Sequence, residues 1–385
     1  MLVDRVRDLA PRLATREAAD PDRYPAESVA DLIDAGVLRA PFPRKLGGEG
    51  CDLLDAVQAV EHIAAASPSL ALLTTMPLGL AGVYALGPDV APPAHRDAWA
   101  EQIDRAAARY RDGAIYAACN SEKGAGGSLA ATKTTAERGE DGRFRLTGEK
   151  ILASFGRNAH VFFSTAKTTP EQLPGCGVVE FFLVPTDAPG VQVLDDWDGF
   201  GMRSTESHTV RYAGAPAEAV LGFPNFVETV QPIPYWFCLF AAIPLGCAGA
   251  IRRTLSTPVP ESPALRMRLA DALMREEALR SYLHETAREW RPAAGPAYAA
   301  RVLRTKTYVT QEAAKLCAEL YALGGGRHYT RTGGLTRALA ASFAGTALRP
   351  PLPLALDTLV QQFSDAEPEW STGAARHAQA AERAR

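Results

Sequence analysis

The chain reads as an α+β protein in three successive parts: an N-terminal helical domain over 1–112, a central β-domain over 113–218 and a C-terminal helical bundle over 219–363. Three observations predict it. Apolar residues recur at helical spacing from Leu2 to about Arg109, with almost no alternating runs. Between Ala114 and Gly214 the pattern switches to alternation punctuated by Gly, Pro and Asp. Helical spacing then returns from Asn225 to Phe363, and the polar, Ala-rich residues 364–385 are expected to form a frayed tail.

In the first part, Pro25-Ala26-Glu27-Ser28 opens a helix that turns Val29, Leu32 and Ile33 inward and stops at Ala35-Gly36. A glycine-rich loop, Pro41 to Gly50, precedes helices over 53–66 and 70–85, which flank the break Ser67-Pro68-Ser69. Thr74, Thr75 and Met76 sit in the middle of the second of these, where core packing is their expected role. In the middle part, strands are expected over 132–137, 144–147, 160–167, 178–184 and 209–212, with Asp141-Gly142 supplying a hairpin turn. In the last part a helix over 227–254 ends at the proline-rich break 256–263, and helices over 265–290 and 298–323 pair as a bundle.

At 385 residues, 47% of them hydrophobic and 22% charged, the chain can bury two or three sizeable cores. A net charge of −3, with no basic stripe interleaved with aromatics, argues against nucleic acid as a partner. Apolar stretches are interrupted by Pro, Gly or charge before about 18 residues, so no membrane span is expected. Six scattered cysteines without a CxxC pair predict neither a zinc site nor a disulfide framework, and make a reducing, cytoplasmic location the default.

Two segments gather the chemistry. In Leu146-Thr147-Gly148-Glu149-Lys150-Ile151-Leu152-Ala153-Ser154-Phe155-Gly156, Ser154 follows an apolar run, where its hydroxyl and N–H can face one way at a strand end. The patch Asn120-Ser121-Glu122-Lys123-Gly124-Ala125-Gly126-Gly127-Ser128 lies about one hairpin upstream. Together they suggest a floor for a planar cofactor; taken alone, a hairpin with a glycine turn is the plainer reading. In order and spacing the two segments resemble the acyl-CoA dehydrogenase superfamily of flavoproteins, and Gly201-Met202-Arg203-Ser204-Thr205 matches a third segment of that family. The resemblance extends over about residues 1–360. It implies a β-barrel-like middle domain, a C-terminal four-helix bundle, FAD as cofactor, and a homodimer or homotetramer formed through the C-terminal helices.

By the same resemblance, Ser154 is the hydroxyl near flavin N5 and Ser121 a donor to the pyrimidine edge, while Gly126, Gly127 and Ser128 receive the pyrophosphate. Leu152 stands where the family has a Trp packed on the flavin. Gly325 and Gly326 belong to a turn that in related tetramers reaches the adenosine side of a neighbour's flavin. The chain departs from the pattern at the adenosine side, where the loop 256–263 replaces an Arg-x-x-Phe-Gly segment and Ala322 replaces a Gln, so FMN is an alternative to FAD. The larger departure concerns the catalytic Glu. Its position falls at or near Arg349, and its alternative location falls near Trp236. A guanidinium stays protonated and cannot be a base, although it can bind a carboxylate or phosphate or stabilise an anionic flavin. Glu228, Asp357 and His328 remain as acid–base candidates; His160 and His208 read as structural.

Three functions are compatible with this pattern. The first is an oxidoreductase that oxidises an acyl thioester of CoA or a carrier protein by hydride transfer to FAD and passes the electrons to an acceptor. The second is a two-component monooxygenase fed by a flavin reductase, in which no catalytic Glu is needed. The third is a non-redox descendant with a weakened flavin site.

Overall fold

The computed structural model describes residues 1–361, so the expected tail over 364–385 lies outside the described residues. Five helices form the N-terminal part: α1 (Leu2–Ala19), α2 (Ala26–Asp34), α3 (Leu53–Ala66), α4 (Pro68–Tyr84) and α5 (Arg96–Arg111). Asp52 starts α3 with a reciprocal cap, its carboxylate accepting from the Asp55 N–H at 2.9 Å while the Asp55 carboxylate accepts from the Asp52 N–H. Ser67 ends α3 and caps α4 by accepting from the Leu70 N–H. Every residue of α4 is buried, which makes it the central rod of this part.

Eight strands follow: β1 (Tyr116–Cys119), β2 (Thr135–Arg138), β3 (Phe144–Ala153), β4 (Val161–Ala166), β5 (Glu180–Pro185), β6 (Val191–Val193), β7 (His208–Pro216) and β8 (Ala219–Val220). They pair as two open four-stranded sheets, ordered β1-β4-β5-β8 and β2-β3-β7-β6, and do not close into one barrel. The expected strand over 144–147 is ten residues long and runs through the cofactor segment, which is therefore strand rather than the link between two strands. Its pairing with β7 slips between Lys150 and Ala153, where Leu152 takes a left-handed φ of 59°. β1, a short apolar strand parallel to β4, has no alternation by which the sequence could announce it.

The C-terminal part contains α6 (Phe226–Val230), α7 (Ile233–Ser256), α8 (Pro263–Arg288), α9 (Gly295–Leu323), α10 (Gly334–Ser342), α11 (Ala344–Ala347) and α12 (Leu352–Gln361). The single helix expected over 227–254 is two. Gln231 turns left-handed at φ 51°, and Pro232, lacking an N–H, cannot continue α6. α7 packs on α3, α4, α8, α9 and α10 and runs unbroken through its internal Pro244, Gly246 and Gly249, as the continuous helix expected there required. By length and composition it could cross a membrane, yet 94% of its most apolar window is covered by the rest of the protein, as befits a core helix. A charge cluster ties these helices together: Arg280 of α8 donates to Glu61 of α3 at 2.9 Å and to Glu276, and Glu276 also accepts from Arg252 of α7 at 2.6 Å.

Candidate active site

All three parts of the chain meet around one cavity of about 240 Å³. Leu72 and Met76 of α4 form one wall, and Trp236, Phe237 and Phe240 of α7 form another. From the β-domain come Asn120, Ser121, Leu152 and Ser154, with Phe163 of β4 and Phe181 of β5. Trp197, Met202 and Ser207 close one side, and Leu348 and Arg349, just beyond α11, close the other.

The hydroxyls have a direction. Thr205 Oγ1 donates to the Met202 carbonyl at 2.9 Å, so its 2.7 Å contact with Ser207 requires Ser207 to donate. The 3.0 Å contact between Ser207 and Ser154 then requires Ser154 to donate, which leaves the Ser154 oxygen as an acceptor on the cavity wall. Behind Ser121 sits a buried ion pair, Lys150 Nζ to Glu122 Oε1 at 2.6 Å, with the two side chains 0% and 3% exposed. Oε1 also accepts from the Thr134 hydroxyl at 2.7 Å and the Thr134 N–H, and Oε2 accepts from the Lys133 N–H. Burial raises the Glu122 pKa, but Lys150 and these donors outweigh it and hold the carboxyl below its ordinary value. The pair fixes the register of the cavity floor, where the Ile151 N–H donates to the Ser121 carbonyl at 2.8 Å.

Backbone strain is concentrated here. Leu152, Phe155, Met202 and Glu206 all have φ between 50° and 74°, a region that side chains larger than Asn enter rarely. Leu152 holds its apolar side chain 54% exposed in this conformation.

Arg349 reaches the cavity from the segment after α11. Its Nη2 donates to the Asn120 carbonyl at 3.3 Å, while Nη1 is shielded from solvent and has no partner among the described residues. Burial lowers its pKa to about 10, against the pull of Glu122, so it carries its charge at neutral pH. Lys306, buried in the middle of α9, donates to the carbonyls on both sides of Arg349: Leu348 at 2.8 Å and Pro350 at 2.7 Å.

Among the residues singled out in the sequence, Ser121, Leu152, Ser154, Arg349 and Trp236 are brought together on the cavity wall. Gly126, Gly127 and Ser128 stand beside it in the loop after β1, with φ of 59° and 87° at the two glycines. A Cβ on Gly127 would come within 2.9 Å of Pro351 Cγ, so this loop seats on the chain just past Arg349. Gly325 and Gly326 form an exposed turn after α9, with open space around both. His328, Glu228 and Asp357 do not line the cavity. His328 Nε2 accepts from Arg327 at 2.9 Å in that turn, Glu228 belongs to α6, and Asp357 is exposed on α12, where it accepts from Gln361. His160 and His208 each use Nδ1 to accept backbone N–H groups, His160 from Ile115 and His208 from Asp196 and Trp197. Sequence reasoning missed Asn120, Trp197, Ser207 and Lys306 as site residues. Asn120 opens the quoted glycine patch, and Trp197 and Ser207 lie close on either side of Gly201 to Thr205, so all three were findable; Lys306 enters only through tertiary packing.

The donor set fits a flavin. An apolar, aromatic-walled cavity carries a hydroxyl oxygen turned to accept and, in Leu152, an apolar side chain held out by a left-handed backbone. The adjoining glycine loop, with Lys133 Nζ 3.6 Å from where a Gly124 Cβ would stand, suits a phosphate.

Residues 117–214 match the acyl-CoA dehydrogenase middle domain, and residues 1–90 match the acyl-CoA dehydrogenase N-terminal domain. YngJ of Bacillus subtilis (strain 168), named as a probable acyl-CoA dehydrogenase, is 23% identical over 88% of this chain and 90% of its own. An L-evernosamine nitrososynthase from a Micromonospora species is 33% identical, over 57% of this chain and 50% of that protein. The dibenzothiophene monooxygenase of Mycolicibacterium goodii is 28% identical, over 69% of this chain and 58% of that protein. Among solved structures, KijD3 in complex with FMN and dTDP-3-amino-2,3,6-trideoxy-4-keto-3-methyl-D-glucose superposes with a TM-score of 0.82, at 24% identity over 97% of this chain and 96% of its own. FMN-bound TdsC from Paenibacillus sp. A11-2 superposes at 0.80, with 21% identity over 97% of this chain and 99% of its own.

Proposed function

The chain belongs to the acyl-CoA dehydrogenase superfamily, and from that premise we propose that it is a flavin-dependent monooxygenase working with FMN reduced by a separate reductase. The observation that carries this reading is the chemistry of the cavity wall. Arg349 occupies the wall where the family pattern expects a carboxylate base, and among the described residues no Asp, Glu or His lines the cavity. Removing the α-proton of an acyl thioester requires a base within hydrogen-bond reach, and a guanidinium cannot act as one. Oxygen insertion makes no such demand.

Bound here in its reduced form, the flavin would supply two electrons to O₂, one oxygen atom passing to the substrate and the other leaving as water. With Ser154 beside flavin N5, as the resemblance implies, its acceptor oxygen would meet the N5–H that the reduced ring has and the oxidised ring lacks, so the hydroxyl relay through Ser207 and Thr205 favours the reduced state. Phe163, Phe181, Trp236 and Phe240 keep bulk water from the reacting groups. Relatives named nitrososynthase and monooxygenase support the reading at 33% and 28% identity over 57% and 69% of this chain, beside the probable dehydrogenase at 23% over 88%. FMN rather than FAD is supported by its presence in the KijD3 and TdsC complexes and by Ala322 standing where the family pattern has an adenosine-side Gln.

The test is a comparison of two electron sources. The protein is loaded with FMN and mixed anaerobically with a panel of acyl-CoA thioesters, then supplied aerobically with NADH and a flavin reductase. The expected result is no bleaching of the flavin by any thioester, and reductase-dependent incorporation of ¹⁸O from O₂ into an organic product. Bleaching by a thioester without a reductase would return the protein to the dehydrogenases.

A further inference from the structure

The charges behind the cavity do not balance. Glu122 is saturated by Lys150, Thr134 and the Lys133 N–H, so its negative charge is already spoken for by a buried lysine. Arg349 adds a second, half-buried cation that has no carboxylate partner among the described residues, and its solvent-shielded Nη1 has no hydrogen-bond partner among them. An uncompensated guanidinium at an apolar wall is costly unless something supplies the missing charge. Its position is nonetheless held firmly, because Lys306 grips the carbonyl before it and the carbonyl after it. Among the described residues Lys306 likewise contacts no carboxylate; the two acceptors it has there are main-chain oxygens, and its burial lowers its pKa to about 7. A neutral amine has two N–H donors, enough for both carbonyls, so Lys306 can brace the segment without adding a charge. This is a rigid support for one cationic fork facing aromatic side chains.

Resting on the monooxygenase reading, we propose that the substrate carries a carboxylate or similarly compact oxyanion on an apolar, ring-sized body, and that Arg349 pairs with that oxyanion while Lys306 acts as the residue that positions Arg349. The aromatic side chains Phe163, Trp236 and Phe240 take the apolar body. Asn120, whose carbonyl holds the other arm of the guanidinium and whose Oδ1 accepts from the Thr165 N–H at 3.0 Å, fixes the approach of the fork. A thioester presents a neutral carbonyl at its reacting end and would leave the guanidinium unpaired.

The probes are benzoate and its neutral isostere benzamide, whose binding is measured by calorimetry on the purified protein, first as isolated and then with FMN added. Wild type is expected to prefer benzoate by about tenfold or more, the usual scale for a charged hydrogen-bonded pair shielded from water. Arg349→Gln should abolish the preference, Arg349→Lys should retain part of it, and Lys306→Met should weaken it. Equal binding of the two probes to wild type overturns the proposal and needs no variant that might fail to fold. So does a preference that survives in Arg349→Gln, or an Arg349→Gln defect confined to FMN affinity, which would make the flavin itself the anion. Because the readout is binding without turnover, failure of the monooxygenase assay and failure of this proposal are separate results.

Discussion

Replacing Glu122 by Gln tests whether the buried pair organises the cavity floor. The carboxylate accepts four hydrogen bonds, from Lys150 Nζ, the Thr134 hydroxyl and N–H, and the Lys133 N–H. An amide keeps one acceptor oxygen but turns an NH₂ group toward a donor, either the Lys133 N–H or the Lys150 ammonium. It also leaves Lys150, 0% exposed, without a counter-charge. Losing one partner of a buried pair costs about 3–5 kcal/mol, and neutralising the survivor returns much of it. Glu122→Gln should therefore be less stable than wild type by that amount in urea unfolding, and the double variant Glu122→Gln, Lys150→Met should recover at least half. Since the pair backs the contact between Ser121 and Ile151, FMN affinity should fall in the single variant as well. A single variant within about 1 kcal/mol of wild type would refute the reasoning, because a pair worth so little cannot hold the floor in register.

Two further outcomes follow from the packing and the buried lysine. A Cβ at Gly79 would lie 2.6 Å from Trp236 Cε2, so Gly79→Ala must push the indole toward the cavity; a loss of about 1–3 kcal/mol and a shifted tryptophan emission are expected, and an unchanged spectrum would mean that the indole does not rest on α4. Lys306 has a folded pKa of about 7 against an unfolded value near 10.4, so between those values the unfolded chain binds more protons and stability rises with pH, by up to about 1.4 kcal/mol per unit. Urea unfolding at about pH 7.5 and about pH 9.5 should show that rise in wild type and a smaller one in Lys306→Met, and equal slopes would remove the buried lysine as its cause.

The sequence was informative where a local signal and the tertiary outcome agree. The helix over 53–66 carries its start in Asp52 and Asp55 and its stop in Ser67-Pro68, and it was read to the residue. The break at Gln231-Pro232 was present in the sequence but hidden by the apolar periodicity on both sides of it. β1 could not be read, because a strand covered on both faces looks like any short apolar run. In the site, Ser121, Leu152 and Ser154 came through because they sit inside motifs with fixed spacing. The separate search for a base among His328, Glu228 and Asp357 led away from the cavity, since ionisable side chains are common on surfaces and carry no positional signal of their own. Lys306 shows the opposite limit. A lysine in the middle of a long helix reads as a solvated face, and the carbonyls it serves lie 42 and 44 residues further along the chain.

Leu152, Phe155, Met202 and Glu206 bear on any attempt to make this protein sturdier. Each holds a backbone conformation that glycine would adopt without strain, at a cost of about 1–2 kcal/mol per residue. A screen for heat resistance would therefore be drawn to these four positions, and two of them, Leu152 and Met202, face the cavity. Glycine at either would relax the chain and remove apolar surface from the cavity wall. Selection for robustness and selection for turnover thus compete for the same few codons, and variants recovered under the first pressure alone are expected to be better folded and poorer catalysts.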